Sequence, residues 1–337
     1  MSNPVRVCHE RVLPNQIFRP QATVRRGGAT RAVFEWRKMW VTRTRLRVRF
    51  LGGTTEQQRI VREQAAWWTA HANLSFAFTN DLDAEIRIAF DAGDGAWSYV
   101  GTDCLHIARH LPTMNLGFLD GGTTAHEFGH AIGLGHEHQN PSPGIQWNED
   151  IVIRDLAKPP NQWTEEETRH NVLNRYKRDQ IRGTHFDPHS IMLYFFPDAW
   201  VQGGHGTEEN HVLSELDKAF IKSREAYPHD AKPYVDLKVG ARTSTRAAIG
   251  MPGEEDVYRF PVKSTGTHVI RTGGNSDVVL KLFGPDSAGR LIAEDDDSGV
   301  GLNARIKASL LPGEYIAQVR HAKKSATGAY TIRVSRE

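Results

Sequence analysis

Between Thr123 and Pro141 the chain reads TTAHEFGHAIGLGHEHQNP, a stretch that few folds can use. His126 and His130 are four residues apart, so on a helix both imidazoles leave the same face. A helix starting with Thr123 or Thr124 as its N-cap would run to Ile132. Gly133 then permits the left-handed backbone that ends a helix, and the returning chain brings His136 to the same point from the opposite side. Three neutral imidazoles with an open fourth position are the ligand set of a catalytic zinc. A closed structural zinc needs a fourth protein ligand and leaves Glu127 unexplained. Glu127, one residue past the first ligand, is placed to hydrogen-bond a water at the open position and take its proton. His138 offers no ligand geometry and is expected at the surface.

The rest of the chain divides in two. With 337 residues, 39% hydrophobic and 24% charged, two domains are expected. The net charge is only +2, and the arginines between Arg19 and Arg49 alternate with Val, Leu and Phe, so nucleic acid is not an expected partner. No apolar run approaches the roughly 18 residues of a membrane span, and the opening MSNPVRVCHERVLP lacks the pattern of a signal peptide. Alternation in LRVRF (46–50) and DAEIRIAF (83–90) predicts strands on either side of a helix over 56–72, the arrangement of a parallel crossover. PTMNLGF (112–118) predicts a short edge strand, and LSELDKAFIKSREAYP (213–228) a closing helix with a serine N-cap. Beyond Pro228 helix signals stop, and strands are predicted at 257–262, 267–272, 278–284, 305–310, 314–320 and 330–335, a small β-sandwich. The expected class is therefore α+β. An N-terminal extension (1–39) with the makings of a pro-segment precedes a catalytic domain (40–228), a partly ordered linker (229–250) and an all-β sandwich (251–337).

HEFGHAIGLGH resembles the zinc signature of the metzincin metallopeptidases. Glu137 directly after the third histidine and SIMLY (190–194) resemble the astacin branch, as do GAWSYVG (95–101) and LSELD (213–217) in the expected order. The resemblance covers about residues 40–228 and implies a catalytic domain with a mixed sheet and long helices. It implies one catalytic zinc on His126, His130 and His136, Glu127 as general base and acid, and Met192 as the hydrophobic floor under the ligands. Tyr194 would approach the metal and steady the oxyanion, against the alternative of a core tyrosine. Glu137 would anchor the mature N-terminus or the methionine turn, or else lie in solvent. Substrate polypeptide would pair with the strand before the zinc helix, through Met114, Asn115, Leu116 and Gly117, against the alternative of sheet interior. FFPDAW (195–200) would help wall the specificity pocket.

The pattern departs from the family at Ala96, where a disulfide cysteine is usual, and in lacking the upstream aspartate latency motif. Two cysteines, Cys8 and Cys104, cannot make a disulfide framework. Three readings of Cys8 stand side by side: a thiolate latch on the open zinc position, a disulfide to Cys104, and a free buried thiol. The C-terminal segment resembles the sandwich that follows many secreted bacterial peptidases. There Asp295, Asp296 and Asp297, with Asp277 or Asn303, would bind calcium, or the acidic run is a solvated turn. The expected function is a secreted, monomeric zinc endopeptidase acting on polypeptides. An inert zinc-containing adhesion protein and a zinc hydrolase of non-peptide substrates are the alternatives.

Overall fold

A computed structural model describes residues 11, 34–35, 38–140, 144–159, 161–175, 181–182, 185–285, 287–323 and 325–337. They form two compact units. Leu46–His71 and Phe76–Ile221 belong to the first, and Trp40–Arg45, Ala72–Ser75 and Lys222–Glu337 to the second. The expected linker, 229–250, holds two strands instead, because Val235–Asp236 and Thr245–Ile249 pair into the sheets that follow. Cys8 lies outside the described residues, as does nearly all of the N-terminal extension.

In chain order the first part contains β1 (Phe34–Glu35), β2 (Arg45–Phe50), α1 (Thr55–Thr69), β3 (Ser75–Phe78), β4 (Ile86–Ala89), β5 (Ala96–Ser98), β6 (Met114–Leu116) and α2 (Thr123–Ala131). After these come α3 (Glu149–Leu156), α4 (Glu165–Thr168), β7 (Ile181–Arg182) and α5 (Glu215–Ile221). The main sheet has the order β3-β2-β4-β6-β5. β2, β4 and β6 run parallel and β5 runs antiparallel to β6, so the sheet is mixed. Thr54 caps α1 in a capping box with Gln57, which fixes where the chain leaves β2.

α1 carries an uncommon load. Its buried face presents Val61, Ala65 and Trp68, and with them Gln64. Gln64 accepts a hydrogen bond from the Ala125 N–H at 3.1 Å and donates to the Gly121 carbonyl at 2.8 Å, while the Trp68 indole donates to the Ala125 carbonyl at 2.7 Å. The expected threonine caps of α2 are not used. Its N-cap is Gly122, which has no side chain to offer, and Thr123 bonds the Asp120 carbonyl instead. One of the orphan N–H groups of the α2 first turn is thus satisfied from α1 rather than locally. Gln64→Leu keeps the volume and strands that buried donor, so it should cost about 1–3 kcal/mol, read as a lower urea midpoint at unchanged slope.

The second unit is a sandwich of strands β8 (Val235–Asp236), β9 (Thr245–Ile249), β10 (Glu255–Val262), β11 (Gly266–Gly274), β12 (Val278–Phe283), β13 (Leu291–Asp295), β14 (Arg305–Leu310), β15 (Gly313–His321) and β16 (Gly328–Arg336). One sheet has the order β13-β12-β15-β10-β8 and the other β14-β11-β16-β9. All pairings are antiparallel except β8 on β10. Inward positions two apart, such as Leu280 and Leu282 or Ile332 and Val334, fill one apolar core. Asp295 is occupied as a turn residue, accepting from the Ser298 and Arg305 N–H groups at 3.2 and 2.6 Å. Among the described residues no group of three or more His, Cys, Asp or Glu side chains converges at Asp295–Asp297.

Candidate metal centre

α2 lifts His126 and His130 from one face, and its end supplies the turn. Gly133 has φ +107°, the Gly133 N–H bonds the His130 carbonyl at 2.8 Å, and the Leu134 N–H bonds the Gly129 carbonyl at 2.9 Å. This pair of reversed bonds is the Schellman closure, and it returns the chain so that His136 faces the other two. The Nε2 atom of His130 lies 3.1 Å from that of His126 and 2.9 Å from that of His136. Among the described residues this is the one group of three or more His, Cys, Asp or Glu side chains whose ligand atoms converge.

The protons identify what the point between the rings must hold. His126 Nδ1 sits 2.7 Å from the Ile191 carbonyl oxygen and His130 Nδ1 2.7 Å from that of Leu134, so each Nδ1 carries the proton and donates. Their Nε2 lone pairs therefore face one another at hydrogen-bond distance with no proton between them, which is repulsive unless a cation sits there. Nitrogens this close together, from three neutral imidazoles, are a donor set that would suit a zinc ion. Burial holds the rings neutral, pushing His126 down to about 3 and His130 down to about 4, and lowers His136 as well. The imidazoles are thus ready to bind metal at neutral pH without first losing protons.

Support for the ligands comes from three directions. The thioether of Met192 packs on Gly129, where a Cβ would collide with its sulfur, so a glycine in the middle of the zinc helix makes room for the floor. Asp217, at the N-terminus of α5, accepts from Ser190 Oγ at 2.7 Å, from the Ile191 N–H at 2.8 Å and from the Ser214 N–H at 3.0 Å. It thereby fixes Ile191, the residue whose carbonyl orients His126. Glu137 is buried, which pushes its carboxyl up to about 8. It accepts from the Asp187 N–H and from Asn140, and its own N–H bonds the Met192 carbonyl at 2.9 Å. It tethers the methionine turn; a solvated glutamate is not what is found.

His138 is corrected too. It is 1% exposed, its ring stacks on His136 with centroids 5.1 Å apart, and Nε2 meets the Asn171 carbonyl at 2.9 Å. The surface expectation failed because Trp147, and Phe196 from far along the chain, pack edge-on against it within a cluster that includes Trp200. Phe196 and Trp200 are core residues, leaving Phe195, 45% exposed, as the exposed aromatic of FFPDAW. Gln139 went unread in the sequence. It donates to the His170 and Asn174 carbonyls at 2.7 and 3.1 Å, tying the residues just past the third histidine to a segment about thirty positions on.

Tyr194 hydrogen-bonds His136 Nε2 through its hydroxyl, and its ring stacks on that of His126 at 4.9 Å. Glu127 is fully buried on α2 between the two helical ligands. Cys104 is buried, and burial pushes its thiol up, so it is inert as a nucleophile.

The substrate expectation at β6 is overturned. β6 lies inside the sheet, parallel to β4 on one side (Ile88 opposite Met114) and antiparallel to β5 on the other (Trp97 opposite Asn115). Met114 and Asn115 are paired on both sides, Leu116 pairs with Ala96, and the Gly117 N–H bonds the Gly95 carbonyl. The edge is β5.

A family model described as Astacin, a peptidase family, matches residues 33–199. A solved structure of myroilysin is 33% identical, with a TM-score of 0.56, and the alignment covers 59% of this chain and 100% of that one. The chain belongs to the astacin family. Its residues are also 25% identical over 137 positions to "Zinc metalloproteinase nas-30" of Caenorhabditis elegans, covering 40% of this chain and 17% of that protein's length. The histidine cluster could hold the zinc that this family implies. No helix among the described residues is long and apolar enough to cross a membrane.

Proposed function

We propose that this chain is a zinc-dependent endopeptidase that cuts internal bonds of polypeptides, with Glu127 as the general base and acid. The observation that carries the reading is the convergence of three neutral imidazoles, their lone pairs aimed at one point beside the Tyr194 hydroxyl. A zinc ion there would supply Lewis acidity toward the scissile carbonyl. Glu127 holds the proton taken from the attacking water and returns it to the leaving amine. The Tyr194 hydroxyl, already at the ligand cluster, donates to the developing oxyanion.

Extended polypeptide pairs with β5, the antiparallel edge of the sheet. In this chain Arg11 forms a parallel bridge to Tyr99 at the end of that edge, which supports a pro-segment role for the N-terminal extension. A Cys8 latch on zinc belongs to the same proposal and predicts a sulfur ligand in zinc-edge spectra of the untrimmed chain. The deciding experiment is digestion of casein by the zinc-loaded chain before and after trimming its N-terminal residues. Fragments that appear after trimming and vanish on chelation support the reading. A trimmed, zinc-bound chain that leaves casein intact, while hydrolysing small esters or nothing, sinks it.

A further inference from the structure

Arg11 is held at the sheet edge by more than its backbone bridge. Its Nη2 meets both carboxylate oxygens of Asp94, at 2.8 and 2.9 Å, and its guanidinium carbon lies 4.0 Å from the centroid of the Trp97 ring. Asp94 is itself aimed: the Trp97 indole N–H donates to its Oδ2 at 2.8 Å. Tyr99 packs edge-on against the same indole at 5.9 Å. A planar cation is thus met by an aromatic face and an oriented carboxylate, a pairing that suits guanidinium and suits the compact ammonium of lysine less well. Trp97 belongs to β5 and Tyr99 follows that strand directly, so the seat is part of the edge on which extended polypeptide lies.

We propose that Trp97 and Asp94 form an arginine subsite of the substrate cleft, occupied by Arg11 in the untrimmed chain and open to a substrate arginine once Arg11 is gone. The proposal rests on the reading that polypeptide pairs with β5. A strand on this edge sends alternate side chains to the same face, so one fixed position of the substrate reaches the ring. The protein would accordingly favour polypeptides with arginine at that position.

The test uses the untrimmed chain carrying Arg11→Ala, or Arg11→Gln if the first folds poorly. The probe is acetyl-Ala-Arg-Ala-amide, with its lysine and citrulline counterparts, and the readout is the NMR signal of the Trp97 indole N–H, assigned by Trp97→Phe. The arginine peptide should shift that signal and bind about tenfold tighter than the citrulline peptide, whereas the parent chain, its seat filled, should respond to neither. Adding Asp94→Asn should bring the two peptides to equal affinity. Equal binding of arginine and citrulline peptides, a preference that survives Asp94→Asn, or no shift with any peptide overturns the subsite. Casein digestion tests activity separately: if it fails while the indole signal still selects arginine, the peptidase reading falls and the guanidinium site stands.

Discussion

Glu127→Gln should bind zinc as tightly as the parent chain and lose about 10²–10⁴ in kcat on casein-derived peptides, the usual worth of a positioned general base. The side chain is fully buried on α2 and is not one of the three converging ligands, so an amide of the same shape leaves the metal cluster in place. Proton transfer is what it removes. Zinc content by atomic absorption and kcat/KM measured on the same preparation separate the two effects. An amide variant within a few-fold of the parent's rate would mean that some other group takes the proton.

The second large effect is expected at a residue that touches none of the three ligands. Asp217→Ala removes the acceptor for Ser190 Oγ and the Ile191 N–H, both in a buried site, and for the half-buried Ser214 N–H. Each stranded buried donor costs about 1–3 kcal/mol, so the variant should lose roughly 3 kcal/mol or more. Its effect should reach the metal as well, because the Ile191 carbonyl that orients His126 belongs to the same turn. A lower melting temperature together with about 10-fold weaker zinc binding is the expected pair of results. A variant that melts like the parent would show that the turn is held by packing alone.

How much of this could be read beforehand depends on where the information lies. The ligand set and the Gly133 turn follow from spacing within a single helix and its end, so local periodicity was enough. The long strands of the sandwich were legible for the same reason: β14 spans Arg305–Leu310, the whole of RIKASL. Short strands were not. β8 has two residues and β13 has no fully buried position, so neither offers a clear apolar face. The edge was misplaced because strand order is a property of pairing partners, and β5, earlier in the chain, lies outside β6 by folding back antiparallel. Gln64, His138 and Gln139 were missed or misread since each acts through a carbonyl, an amide or a ring far away in sequence. A glutamine among the buried positions of an amphipathic helix is the one signal that could have pointed to Gln64.

The Schellman turn at Gly133 also determines what kind of cross-link the metal makes. All three ligands fall between His126 and His136, so a bound ion closes a ring of about ten residues rather than joining distant parts of the chain. Closure entropy grows only with the logarithm of loop length and is smallest for such short loops. The ion therefore acts as a local clip: it adds stability in proportion to its own affinity and concentration, and does little to restrain the unfolded chain. Long-range order in this part of the protein comes instead from α1 reaching the start of α2 and from Asp217 reaching the methionine turn.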